Sequence, residues 1–222
     1  MESINYRQLL ERYRQDIERL NPPYGDEALK IFEEAICGCV LLAEENLREQ
    51  RAQYENADLV REVIKYAKIL EGYDHMLNLL YSVLSRAESV LYEHPRLMLE
   101  LKRLHLAVLR RLEAVNGREI GLTEDLMQEI DQLCDNISYA DKGEYNNIRS
   151  DSMLKHDPVE WSKEWEESID KADRIVYSEL EDTPRGMGFC FAFWSKRAEV
   201  LRKEFNIEWR SPSVMNPREM FD

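Results

Sequence analysis

Oily side chains return every third or fourth residue along most of this chain, and a chain patterned in that way must form helices that each bury one face. Tyr6, Leu10, Tyr13, Ile17 and Leu20 fall at spacings of four, three, four and three. That spacing lines one side of an α-helix, where a strand would need alternation. The helix is expected from Glu2 to Leu20, and Asn21-Pro22-Pro23-Tyr24-Gly25 stops it. Asp26 reads as the N-cap of a second helix, whose stripe runs through Leu29, Phe32, Ile36, Val40, Ala43 and Leu47.

The third segment, Asp58 to about Glu93, keeps the helical period on both sides of Gly72 and Asp74. It is either one long helix weakened in its middle or two helices meeting near residue 72. His94-Pro95 ends it, because the residue before a proline is pushed out of the α region. Arg96 to Val115 is apolar over most of its circumference and reads as the central helix. Asn116-Gly117 closes it, and Thr123 caps a further helix through Leu126, Ile130, Leu133 and Ile137.

Between Ser138 and His156 the period disappears. Asp157-Pro158-Val159-Glu160 then supplies an N-cap acid, a proline at the first helical position and a glutamate to close a capping box. A helix through Trp161, Trp165, Ile169, Ala172 and Val176 is expected to pair with one through Cys190, Trp194, Ala198, Leu201 and Phe205. The expectation is all-α: a bundle of six to eight antiparallel helices with a C-terminal helical hairpin and an extended tail. Residues 1–138 would form the main helical bundle, 139–156 a polar connector, 157–205 a hairpin packed on the bundle, and 206–222 the tail.

Charge narrows the function classes. Thirty Lys and Arg stand against 44 Asp and Glu, a net charge of −14, and such a field repels phosphate backbones and anionic membranes. Nucleic acid is not expected as the main ligand, nor is a membrane. The opening residues lack a signal-type apolar run, and no stretch nears the ~20 apolar residues of a membrane span. The four cysteines do not make a disulfide scaffold. These features point to a cytoplasmic protein.

One carboxylate constellation invites a metal reading. Glu45-Asn46-Leu47-Arg48-Glu49 is followed by Glu71-Gly72-Tyr73-Asp74, and carboxylates one turn apart on facing helices can hold magnesium against substrate phosphates. Over about thirty residues this resembles the pattern of all-α nucleoside triphosphate pyrophosphohydrolases of the MazG kind: two adjacent glutamates, a third three residues on, then ExxD on the next helix. Asn46 stands where the second glutamate belongs. The resemblance implies Glu45, Glu49, Glu71 and Asp74 as magnesium ligands of a small metal-dependent nucleotide pyrophosphohydrolase-like enzyme. Helix geometry turns Glu45 and Glu49 toward the face opposite the apolar stripe. Asp74 lies on an apolar stripe, where a carboxylate needs a partner.

Other clusters carry less. Cys37 and Cys39 point about 200° apart on a helix and cannot clasp one ion. The four histidines are scattered, and neither HExxH, ExxH nor GxSxG occurs. Arg185-Gly186-Met187-Gly188 reads as an interhelical turn. The basic set Lys102, Arg103, Arg110 and Arg111 aligns on one side of its helix and is expected to lock onto the acidic helix at 160–182. The tail holds Trp209, Val214, Met215 and Phe221, all of which favour burial. They either pack on the parent chain or dock another protein. With no catalytic set and no cofactor implied outside the magnesium alternative, the expected role is a non-enzymatic adaptor or structural subunit. It would act on a protein partner or its own copies through helix faces and the tail.

Overall fold

The computed structural model describes residues 5–149 and 153–221. Among the described residues there are nine α-helices and no strand. They are α1 Tyr6–Ile17, α2 Asp26–Arg48, α3 Asn56–Leu70, α4 Leu77–Val90, α5 Pro95–Asn116, α6 Thr123–Asp141, α7 Lys163–Glu179, α8 Phe189–Phe205 and α9 Pro212–Met215. Residues 2–4 of the first expected helix lie outside the described residues; within them, the Asn5 side chain accepts from the Gln8 N–H at 3.0 Å and begins α1. At α2 the cap is Gly25 and not Asp26, which together with Glu27 occupies the first turn. Both acids there are favoured by the positive end of the helix dipole.

The helices divide into two compact units. The first comprises the described part of Met1–Glu49, with Glu55–Tyr92 and Leu97–Ile130; the second comprises Gln50–Tyr54, Glu93–Arg96 and the described part of Asp131–Asp222.

In the first unit the stripes of α1 to α5 converge on one core. Leu10, Phe32, Ile36, Leu70, Leu77 and Leu101 are all fully enclosed there, and each such side chain contributes about 1.5–3 kcal/mol by leaving water. The segment after Asp58 is two helices. The α-helix stops at Leu70 and a 3-10 turn over Asp74–Met76 leads into α4. Arg111 makes that break tolerable: its guanidinium donates to the exposed carbonyls of Glu71 and Gly72 at the end of α3 and pairs with Asp74 at 2.7 Å. Asp74, placed on a core stripe by the period alone, is therefore surface-exposed (60%).

A buried amide ladder joins α2, α3 and α4. Asn46 donates to Asn56 Oδ1 at 2.9 Å, and Asn56 Nδ2 donates to the carbonyls of Ala43 and Val90, each at 3.1 Å. Both side chains are buried. Asn56→Ala is expected to cost about 1–3 kcal/mol, because two carbonyls and the Asn46 amide lose their partner away from water. Urea unfolding followed by far-ultraviolet circular dichroism reads this loss directly.

The second unit is built around Trp165, Ile169, Val176, Phe193, Leu201 and Trp209. Asp157 does cap a turn, accepting from the Val159 N–H at 3.2 Å, but it starts a four-residue 3-10 helix, Pro158–Trp161. The α-helix waits for Ser162, whose hydroxyl accepts from the Trp165 N–H at 3.1 Å. Glu160, expected to complete the capping box, is instead drawn away by Trp209 and His156.

Candidate functional site

The four carboxylates of the magnesium alternative are placed as follows. Glu45 lies 3.8 Å from Arg48 on its own helix, Glu49 is exposed just past the end of α2, Glu71 follows the end of α3, and Asp74 is held by Arg111. Asn46, where the resemblance wants a glutamate, is committed to the amide ladder. Among the described residues no group of three or more His, Cys, Asp or Glu side chains is placed to hold a metal ion.

Two members of the basic set on α5, Lys102 and Arg111, form ion pairs. Lys102 bridges Glu88 at 2.6 Å and Glu129 at 2.7 Å, and Glu88 in turn contacts His105 Nδ1 at 2.5 Å. These residues and Asp74 belong to the first unit, so Lys102 and Arg111 each have an acidic partner within it. The Glu88 carboxyl is held below the usual range by His105 and Lys102 despite burial, which on its own pushes it up.

The second unit contains a buried ionic cluster. Arg197 is buried on α8, with Nε and Nη2 donating to the two oxygens of Asp173 on α7 at 2.7 and 2.5 Å, while Nη1 pairs with Glu93. Its guanidinium also lies over the rings of Phe193 (4.8 Å) and Trp209 (5.5 Å). The main chain of Glu93, at φ +63°, accepts from Trp165 Nε1 at 3.1 Å, and His94 lies 3.0 Å from Asp170. Burial pushes the Asp173 carboxyl up to about 6 against the pull of Arg197.

The tail is part of this unit's structure through Asn216. Trp209 is buried against Trp165, its Nε1 donating to Glu160 at 2.7 Å, and Arg210 donates to Asp157 from its backbone N–H at 2.8 Å and its Nε at 2.9 Å. Asn216 then exchanges two hydrogen bonds with the backbone of Lys155, at 2.9 and 2.8 Å. Between these anchors Ser211 caps α9, with Pro212 at its first position, so one helical turn occupies a stretch expected to be extended. The connector residues Ser150 to Ser152 and the terminal Asp222 lie outside the described residues.

His156 completes the anchoring turn, 3.2 Å from Glu160. Its pKa is raised by the hydrogen bond to Glu160, which outweighs burial. A raised imidazole contributes stability that is complete below about 6.5 and fades as pH climbs through the folded value. Tryptophan emission, which reports only on the second unit because all four tryptophans lie there, should show a loss of about a few tenths of a kcal/mol between pH 6 and 8. His156→Gln should flatten that decline; an unchanged slope would assign it elsewhere.

Of the four apolar tail residues singled out in the sequence, the structure separates two kinds. Trp209 is a core residue, whereas Val214 is 61% exposed and Met215 and Phe221 are half-buried. Phe221 meets Trp194 of α8 edge-on, ring centroids 5.1 Å apart at 90°, and Trp194 meets Phe191 in the same way at 5.8 Å. Phe191 is 43% exposed, and Met220 and Met187 are almost wholly so. Helical period alone does not mark Phe191 as a surface residue, but the aromatic density around it does. Phe189, Phe191, Phe193 and Trp194 sit within six residues of one helix, and at 100° per residue one buried face cannot hold them all.

No family model, curated protein or solved structure matches this chain.

Proposed function

We propose that this chain is a non-enzymatic interaction protein, an adaptor or structural subunit of a larger assembly, working through the outer face of α8 and the C-terminal tail. The observation that carries the reading is the partly open aromatic row Phe191–Trp194–Phe221, near which in the chain Met187 and Met220 are exposed. Exposed apolar side chains gathered on one face mark surfaces that another molecule covers, and aromatic residues and methionine are enriched in such contacts.

In this reading residues 1–138 supply an antiparallel helical body, 139–156 a connector, 157–205 a helical hairpin and 206–222 the recognition tail. The compartment is the cytoplasm, in keeping with four free thiols and with no helix among the described residues long and apolar enough to cross a membrane. The partner is a protein and not a nucleic acid, since a net charge of −14 opposes phosphate binding.

The test is recovery of the tagged chain from its own cells, followed by reconstitution with whatever purifies in fixed ratio. The double variant Phe191→Ser, Val214→Asp should lose that companion while keeping the tryptophan emission and helicity of the unaltered chain. A chain that stays monomeric and alone in its cells overturns the reading.

A further inference from the structure

Resting on that reading, the arrangement around Trp194 points to the kind of partner. After Asn216, the last residue locked to Lys155, the chain turns through Pro217, Arg218, Glu219 and Met220, all four exposed, with the Glu219 N–H donating to the Asn216 carbonyl at 3.1 Å, and Phe221 then meets Trp194. A tail end held by one edge-to-face ring contact is held weakly. Its closeness comes from a four-residue tether that sets a high effective concentration. The seat under it is rigid by comparison: Trp194 is packed against the second unit's core, and Phe191 remains partly open beside it.

We propose that the Phe191–Trp194 face of α8 is a docking seat for a segment of a partner protein bearing an aromatic anchor, and that Phe221 fills this seat in cis as a displaceable plug. The present occupant defines the chemistry, since what sits edge-on against Trp194 is a phenyl ring two residues beyond a short turn. A partner's aromatic residue replaces it ring for ring, and release of the tether's constraint favours exchange. Apparent affinity is reduced by the fraction of seats left open, so removing the plug strengthens binding without adding a contact.

The probe is an N-terminally labelled peptide of residues 217–222, titrated into the full chain and followed by fluorescence anisotropy and by the Trp194 indole resonance. Phe221→Ala should bind it about fivefold or more tightly than the unaltered chain. Phe221→Ala combined with Trp194→Ala, or with Phe191→Ser where Trp194→Ala fails to fold, should abolish binding, as should alanine for phenylalanine in the peptide. Equal affinity for the plugged and unplugged chains overturns the proposal, as does absence of binding by Phe221→Ala up to about millimolar peptide. Dimers of the unaltered chain that Phe221→Ala dissolves would overturn it in favour of tail exchange between copies. A companion recovered from cells that survives Phe191→Ser refutes the seat and leaves the interaction role standing; peptide binding with no companion in cells does the reverse.

Discussion

Arg197→Ala is expected to destabilise the second unit by about 3–5 kcal/mol, the range for breaking a buried ion pair by removing one partner. The substitution leaves the Asp173 carboxylate, 5% exposed, and Glu93 facing a cavity where the guanidinium lay between Phe193 and Trp209. Urea unfolding read by tryptophan emission reports the loss, and circular dichroism shows whether the first unit follows. The deficit should shrink at low pH. Burial already raises Asp173 to about 6 in the unaltered chain, so the folded state binds more protons than the unfolded one between about 4 and 6, and stability falls as pH rises across that window. Without Arg197 the carboxyl rises further and meets its burial by protonating. The neutral pair Arg197→Met with Asp173→Leu should recover most of the loss, since well-packed apolar replacements of buried ion pairs are often neutral or better. A single variant within about 1 kcal/mol of the unaltered chain would mean that water already reaches the pair.

The helical stripes were legible because burial and period act on the same residues. Leu10, Phe32, Ile36 and Val40 are core residues by spacing alone and by structure. Capping was legible as chemistry but less so as position: Asp157 does accept a backbone N–H, yet Ser162 starts α7, because Glu160 is drawn to Trp209 from 49 residues away. Long-range side-chain bonds of that kind leave no local mark in a sequence. The same holds for Asp74, whose place on a helical stripe is cancelled by a break that Arg111 stabilises from α5. Asn46 reads as a damaged metal motif in one dimension and as half of a buried amide pair in three. The tail's apolar residues were visible, but periodicity cannot separate Trp209, which the fold encloses, from Val214, which it leaves in water.

That separation makes truncation at two points give opposite results. Ending the chain after Phe205 should abolish cooperative folding of the second unit, whereas ending it after Asn216 should leave its unfolding midpoint nearly unchanged. The first cut removes Ile207 and Trp209 from the core, takes the Glu160 carboxylate's indole donor, and strips Asp157 of Arg210. Trp209→Ala alone is expected to cost about 3–5 kcal/mol, as for other buried aromatic truncations. A domain whose whole stability is typically 5–15 kcal/mol has little left after the remaining anchors go too. Among the described residues the second cut removes four exposed side chains, one local turn and the ring contact of Phe221, so urea midpoints should agree within error while the indole resonance of Trp194 shifts. Trp209→Phe separates packing from hydrogen bonding: it keeps a ring against Trp165 but leaves Glu160 without the indole donor, and it should lose less than alanine does. If truncation after Phe205 leaves the tryptophan emission and its urea transition intact, the tail is an appendage after all, and burial of Trp209 contributes nothing to holding α7 and α8 in place.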